Sequence, residues 1–135
     1  VIKATQVDVN LINGIALAFE GDAVYSYYIR RHLIFTGQTK PNQLHRLATR
    51  YVSAKAQANL ITAMLEAQLL TEKEENIYHR GRNTNSRTKA KNADVVTYRM
   101  STGFEAVMGY LDMTGQTERL EKLINWCIDW IEHQA

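Results

Sequence analysis

Proline occurs once in these 135 residues, at Pro41, and glycine only seven times. Proline is the residue that most decisively ends a helix, at ~3 kcal/mol in a helix interior. With so few interruptions, scarce β-branched alternation and apolar residues recurring at period 3.6, the chain predicts an all-α fold. The first long helix is expected from Leu11 to Phe35, ending before Gly37 at the C′ position. Pro41 suits the first turn of the next helix, with Lys40 before it and "NQLHRLATRYV" after. Ser53 reads as the cap of "AKAQANLITAMLEAQLL". Thr71 and Glu74 form a capping box that opens a helix to about Arg80. The stretch "RGRNTNSRTKAKNAD" is polar and without periodicity, the one long loop of the chain. A helix resumes near Val95 and stops at Thr114 before Gly115. Thr117 then caps a last helix with the apolar stripe Leu120, Leu123, Ile124, Cys127, Ile128 and Ile131. No repeat or linker divides the chain, so residues 1–135 are expected to form one domain.

Several functional classes are excluded early. One cysteine, Cys127, allows no internal disulfide and fits a reducing compartment. The N-terminal "VIKATQVDVN" has no signal-peptide core, and no apolar stretch has the length of a membrane span, so a soluble cytoplasmic protein is expected. His32, His45, His79 and His133 lack zinc-ligand spacing. Cys127 has no paired histidine and no basic helix start beside it, which argues against a nucleophile. Trp126 and Trp130, four apart, read as packing.

Net charge is only +2, but the charges are segregated. No acid occurs from Ala23 to Leu65, where Arg30, Arg31, Lys40, Arg46, Arg50 and Lys55 fall. A second acid-free stretch, His79 to Ala93, carries Arg80, Arg82, Arg87, Lys89 and Lys91. A polyanion-binding face needs this separation.

Two carboxylates stand out against apolar surroundings. In "ALAFEGDAVY", Asp22 shares a helix face with Ile15, Ala18, Phe19, Ser26 and Ile29. Glu20, about 200° away around the helix, lies on another face with Leu17, Val24 and Tyr27. A helix apolar nearly all round reads as a central, buried one, and an acid on it must be paired, protonated or bound to metal. "STGFEAVMGY" repeats the pattern, with Glu105 between Gly103 and Gly109. If the two helices cross, Asp22 and Glu105 meet without a cation from either segment. Mg²⁺ is held by one or two carboxylates together with water and phosphate oxygens. With a basic face, that suggests metal-assisted cleavage of a phosphodiester.

These segments resemble the ribonuclease III catalytic domain. "FEGDAVYSYYIRRHL" and "TGFEAVMGYLDMTG" match its two signature segments; "TKPNQLH", "YVSAKAQA", "RGRN" and "DVVTYRMSTGFEA" resemble the Mini-ribonuclease III branch, which has no double-stranded-RNA-binding domain. The resemblance implies an all-helical homodimer that cleaves double-stranded RNA with Mg²⁺, with a 23S ribosomal RNA precursor as the expected substrate. It places Asp22 and Glu105 at matching catalytic and metal-binding positions. Ala18 and Thr102 stand where the wider family usually has Glu and Asp, as is typical of the Mini branch. They favour one protein-held Mg²⁺ over two. Thr102 is a candidate hydrogen-bond partner of Glu105, with a bond to its own helix backbone as the alternative. Asp112, two turns past Glu105, reads as structural or supporting, and Glu20 as structural or at a dimer contact. Gly21 is expected to clear space beside the carboxylate and across the dimer axis.

For RNA the candidates are Arg80, Arg82, Asn83, Arg87, Lys89 and Lys91 in the loop, then Arg46, Arg50, Ser53 and Lys55. Arginine suits phosphate forks, and A-form duplexes offer shape and phosphates rather than readable base edges. Two other functions compete. One is an inactive relative that only holds RNA, which loss of Asp22 or Glu105 would favour. The other is an all-α nucleotide pyrophosphatase, for which Glu72 and Glu75 supply only half of the acidic pattern.

Overall fold

The computed structural model describes residues 7–84 and 93–134, and these are all-helical. A short 3-10 turn, Val9–Leu11, precedes six α-helices: α1 (Gly14–Phe35), α2 (Pro41–Val52), α3 (Ala54–Glu66), α4 (Glu72–Asn83), α5 (Ala93–Met113) and α6 (Thr117–Glu132).

Most boundaries follow from local chemistry. Asn13 Oδ1 accepts from Ala16 N at 2.8 Å and starts α1 three residues later than expected. Gly37, at φ +99°, closes it, with Gly37 N and Gln38 N bonded to the Ile34 and Leu33 carbonyls. Pro41 opens α2, Ser53 Oγ caps α3, and the Thr71–Glu74 capping box opens α4. The α3 helix stops at Glu66, short of the expected Leu70, because the chain turns at Gln68 with φ +51°. Thr117 is not the cap of α6: Gln116 holds that position without a side-chain bond, and Thr117 is the first helical residue. The expected loop is shorter at both ends, since α4 continues to Asn83 and α5 begins at Ala93.

The central helix is α5, not α1. Helices α1, α4 and α3 all pack against α5, and Phe104, Ala106, Val107, Met108 and Leu111 are buried there. Along α1 the buried residues are Gly14, Leu17, Ala18, Gly21, Tyr25, Ile29 and Leu33, one face only, whereas Ile15, Phe19, Tyr27, Ile34 and Phe35 are exposed. Periodicity could not separate these cases because both faces of α1 are apolar. The Tyr25 ring meets Phe104 edge-on at 5.0 Å, and its hydroxyl donates to the Tyr51 carbonyl of α2 at 3.1 Å. Arg119 of α6 bonds both oxygens of the buried Glu74 at 2.8 Å, fixing α6 to α4. The α6 stripe is buried throughout, and Trp126 and Trp130 pack against the core.

Candidate active site

The α1–α5 contact is a backbone-to-backbone crossing made by two glycines. A Cβ on Gly21 would lie 1.8 Å from the Glu105 carbonyl oxygen, and one on Gly109 would lie 2.0 Å from that of Leu17. Gly21 therefore serves a contact within one chain, which corrects the expectation that its space faces a dimer axis. The close approach sets Asp22, the next residue on α1, against Glu105 on α5.

The Asp22 and Glu105 carboxyls stand beside each other and line one cavity. Asp22 is exposed and Glu105 is partly buried. Burial first, then the hydrogen bond and charge of Asp22, push the Glu105 pKa up to about 8, against an opposing hydrogen bond from Gln57. Asp22 thus lies at the surface of a single chain rather than in a core. The pair lines an open cavity of about 360 Å³ together with Ala18, Gln57, Gly81, Thr84, Tyr98, Arg99 and Thr102, and with Ile15 and Phe19.

Two hard oxygen donors, brought from neighbouring helices to one open cavity, fit a divalent metal ion such as Mg²⁺. No group of three or more metal-binding His, Cys, Asp or Glu side chains occurs among the described residues. The fit is therefore to an ion that takes two protein carboxylates and completes its shell from water and phosphate.

Thr102 lines the cavity, but its Oγ1 donates to the Tyr98 carbonyl at 3.0 Å, the backbone alternative. The other acid pair is separate: Glu20 faces Asp112 of α5, carboxyl to carboxyl. Burial, then the hydrogen bond and charge of Asp112, push the Glu20 pKa up to about 8. Glu20 Oε1 is buried and has no hydrogen-bond partner among the described residues. Cys127 is buried, which pushes its thiol far above the ordinary range and leaves no nucleophile. His32 bonds Glu132 at 2.6 Å.

The predicted RNA contacts divide. Arg80 is committed to structure: its guanidinium donates to the carbonyls of Asn10 (3.1 Å) and Ile12, clamping the N-terminal segment. Arg50 likewise donates to the Ile131 carbonyl at 2.9 Å. Arg82 and Asn83 are exposed at the end of α4, bonded to each other at 3.2 Å, between the cavity-lining Gly81 and Thr84. Arg50, Ser53 and Lys55 line a second groove with Trp130, whereas Val52, Ala54 and Gln57 turn to the carboxylate cavity. Arg46 is exposed on α2 and lines neither. Arg87, Lys89 and Lys91 lie outside the described residues.

Two cavity residues escaped the sequence reading. Arg99 is the one cation lining the cavity among the described residues. Gln57 carried a usable signal, as a lone amide on the apolar stripe of Leu60, Ile61 and Met64.

Comparison with known proteins gives this geometry its context. Residues 15–116 match the ribonuclease III domain, a span that holds both carboxylates and every residue lining the cavity. The chain belongs to the ribonuclease III family. Mini-ribonuclease 3 of Streptococcus pneumoniae is 79% identical over 126 residues, covering 93% of this chain and 98% of that protein. Mini-ribonuclease 3 of Enterococcus faecalis is 64% identical over 121 residues, 90% of this chain and 92% of that one. A crystal structure of a Fusobacterium nucleatum protein superposes with a TM-score of 0.76 at 27% identity, covering 90% of this chain and 96% of the other. Membership of the ribonuclease III family, in its Mini-ribonuclease 3 branch, makes the chain an endoribonuclease. No helix among the described residues is long and apolar enough to cross a membrane.

Proposed function

We propose that this ribonuclease III-type enzyme is a Mg²⁺-dependent homodimer that cleaves double-stranded RNA, with a ribosomal RNA precursor such as that of 23S RNA as its substrate. The observation that carries the reading is the meeting of Asp22 and Glu105 at one open cavity, in a family of endoribonucleases.

Asp22 and Glu105 would hold the cation, one from each helix of the glycine crossing. When bound, Mg²⁺ supplies positive charge to the scissile phosphate and acidifies the attacking water. Cation binding requires Glu105 to give up its proton, and its charge is then balanced. Arg99 offers the cavity a phosphate contact. Arg82 and Asn83 flank its rim, and with Arg87, Lys89 and Lys91 they give the duplex a basic edge. Arg46 and Lys55 extend it. Ile15, Phe19, Val96 and Tyr98, exposed on α1 and α5, supply the apolar contact of a dimer. Both carboxyls are intact, which disfavours an inactive RNA-holding relative.

The test is incubation of the protein with duplex RNA and with single-stranded RNA of the same sequence, with and without Mg²⁺. Cleavage confined to duplex plus Mg²⁺ is expected. Equal cleavage in the presence of a chelator, or of the single strand, would overturn the reading.

A further inference from the structure

Gln57 is a polar side chain at a position suited to an apolar one. It lies on the inward stripe of α3 with Leu60, Ile61 and Met64, and only 1% of its surface is exposed. Burying an amide is unfavourable unless its polar atoms are bonded, and a methionine or leucine would fill the same space without that penalty. What the amide adds is a donor: Gln57 Nε2 bonds Glu105 Oε2 at 3.3 Å, the one side-chain donor on Glu105 among the described residues.

The turn that carries Gln57 is itself fixed. Ser53 Oγ accepts from Ala56 N at 3.1 Å, and the Ser53 carbonyl accepts from Gln57 N at 2.9 Å. Glutamate has three side-chain torsions, and a carboxylate that must act with one on another helix loses freedom when a buried group holds it. Donors behind a metal-binding side chain orient it in this way.

We propose that Gln57 is a positioning residue: it holds the Glu105 carboxylate in the orientation in which it binds a cation jointly with Asp22, and Ser53 anchors Gln57 by capping α3. This rests on the metal-dependent reading above. Ser53 thereby acts on the site through its cap.

The experiment titrates Mn²⁺ alone, without RNA, into wild type, Gln57→Met, Gln57→Leu and Glu105→Gln, following heat by calorimetry. Duplex cleavage against Mg²⁺ is measured in parallel. Both Gln57 variants should weaken Mn²⁺ binding by about 10- to 100-fold. The Mg²⁺ concentration for half-maximal rate should rise in step, while KM for duplex and the thermal midpoint stay near wild type. Wild-type Mn²⁺ affinity in a folded Gln57→Met or Gln57→Leu protein would overturn the inference. Unfolding of both variants would overturn it too, by making the amide a requirement of the core. If Glu105→Gln loses affinity and the Gln57 variants do not, only this inference fails. If wild type itself binds no Mn²⁺, the metal-dependent reading fails and this one with it.

Discussion

Asp22 and Glu105 are both carboxylic acids, but Asp22 is exposed and Glu105 is not. Glu105 is the partly buried member, and in the cation-free protein it keeps its proton to about pH 8 because burial, then Asp22, disfavours its charge. A cation has to displace that proton, so its apparent affinity should rise with pH by up to about tenfold per unit and level off near pH 8. Calorimetric dissociation constants across that range, with proton release read in two buffers, would show it; a flat profile would mean the two acids do not share the ion. Asp22→Asn removes the neighbouring charge, one of the causes that raise the Glu105 pKa, so Glu105 should titrate at lower pH. The variant should keep fold and duplex binding and lose cleavage by about three orders of magnitude or more. Arg80 and Arg82, two residues apart, should part company. Arg80→Ala deletes charge-assisted bonds to Asn10 and Ile12 and should lower stability by about 1.5–3 kcal/mol, leaving the salt dependence of RNA binding alone. Arg82→Ala should do the reverse, reducing the slope of log K against log salt by about 0.7–1. Denaturant unfolding and RNA affinity across a salt series measure the two effects.

At the scale of elements, everything depends on how closely α1 and α5 cross. Gly21→Ala would force its methyl group into the Glu105 carbonyl, where 1.8 Å is available and the obstacle is backbone. We expect a loss on the order of 3 kcal/mol or more, seen as a lower denaturant midpoint, with cleavage impaired even under conditions where the variant is folded. A Gly21→Ala protein as stable and active as wild type would mean the helices can part at no penalty. The same crossing brings Glu20 to Asp112. A carboxyl raised from 4.5 to about 8 binds more proton folded than unfolded within that window. Its stabilising contribution is therefore complete below pH 4.5 and lost as pH rises through about 8. Glu20→Gln should flatten that part of the stability profile and be relatively more stable at pH 8, as thermal midpoints from pH 5 to 8.5 would reveal.

For the whole molecule, the apolar surface that the single chain leaves open lies beside its chemistry. Phe19 is 82% exposed, and it rims the cavity with Ile15 and Tyr98. Large exposed aromatics grouped in this way mark an interaction surface. Phe19→Asp should give a monomer by sedimentation while circular dichroism stays helical, and cleavage should fall with the dimer. A variant that remains dimeric would move the interface elsewhere, the exposed Tyr27, Ile34 and Phe35 at the other end of α1 being the next place to look.

What the sequence determined by itself is local. Scarce proline, the caps at Ser53 and Thr71, the turn glycines Gly37 and Gly115 and the α6 stripe define helices because each acts within a few residues along the chain. Asp22 and Glu105 were legible for a related reason: each interrupts an apolar pattern, and the surrounding segments match a family. What only the tertiary structure decided are relations between distant segments. Periodicity on α1 could not tell a core face from an exposed one, since both are apolar, so α5 took the centre. Residue type could not say that Arg80 and Arg50 spend their donors on carbonyls of the chain itself. Nor could it say that Gly21 meets α5, or that Glu20, read as structural or at a dimer contact, stands beside Asp112. Gln57 shows the limit most clearly: its pattern marks it as a buried amide, but its partner lies 48 residues away, and only the packing of α3 on α5 brings the two together.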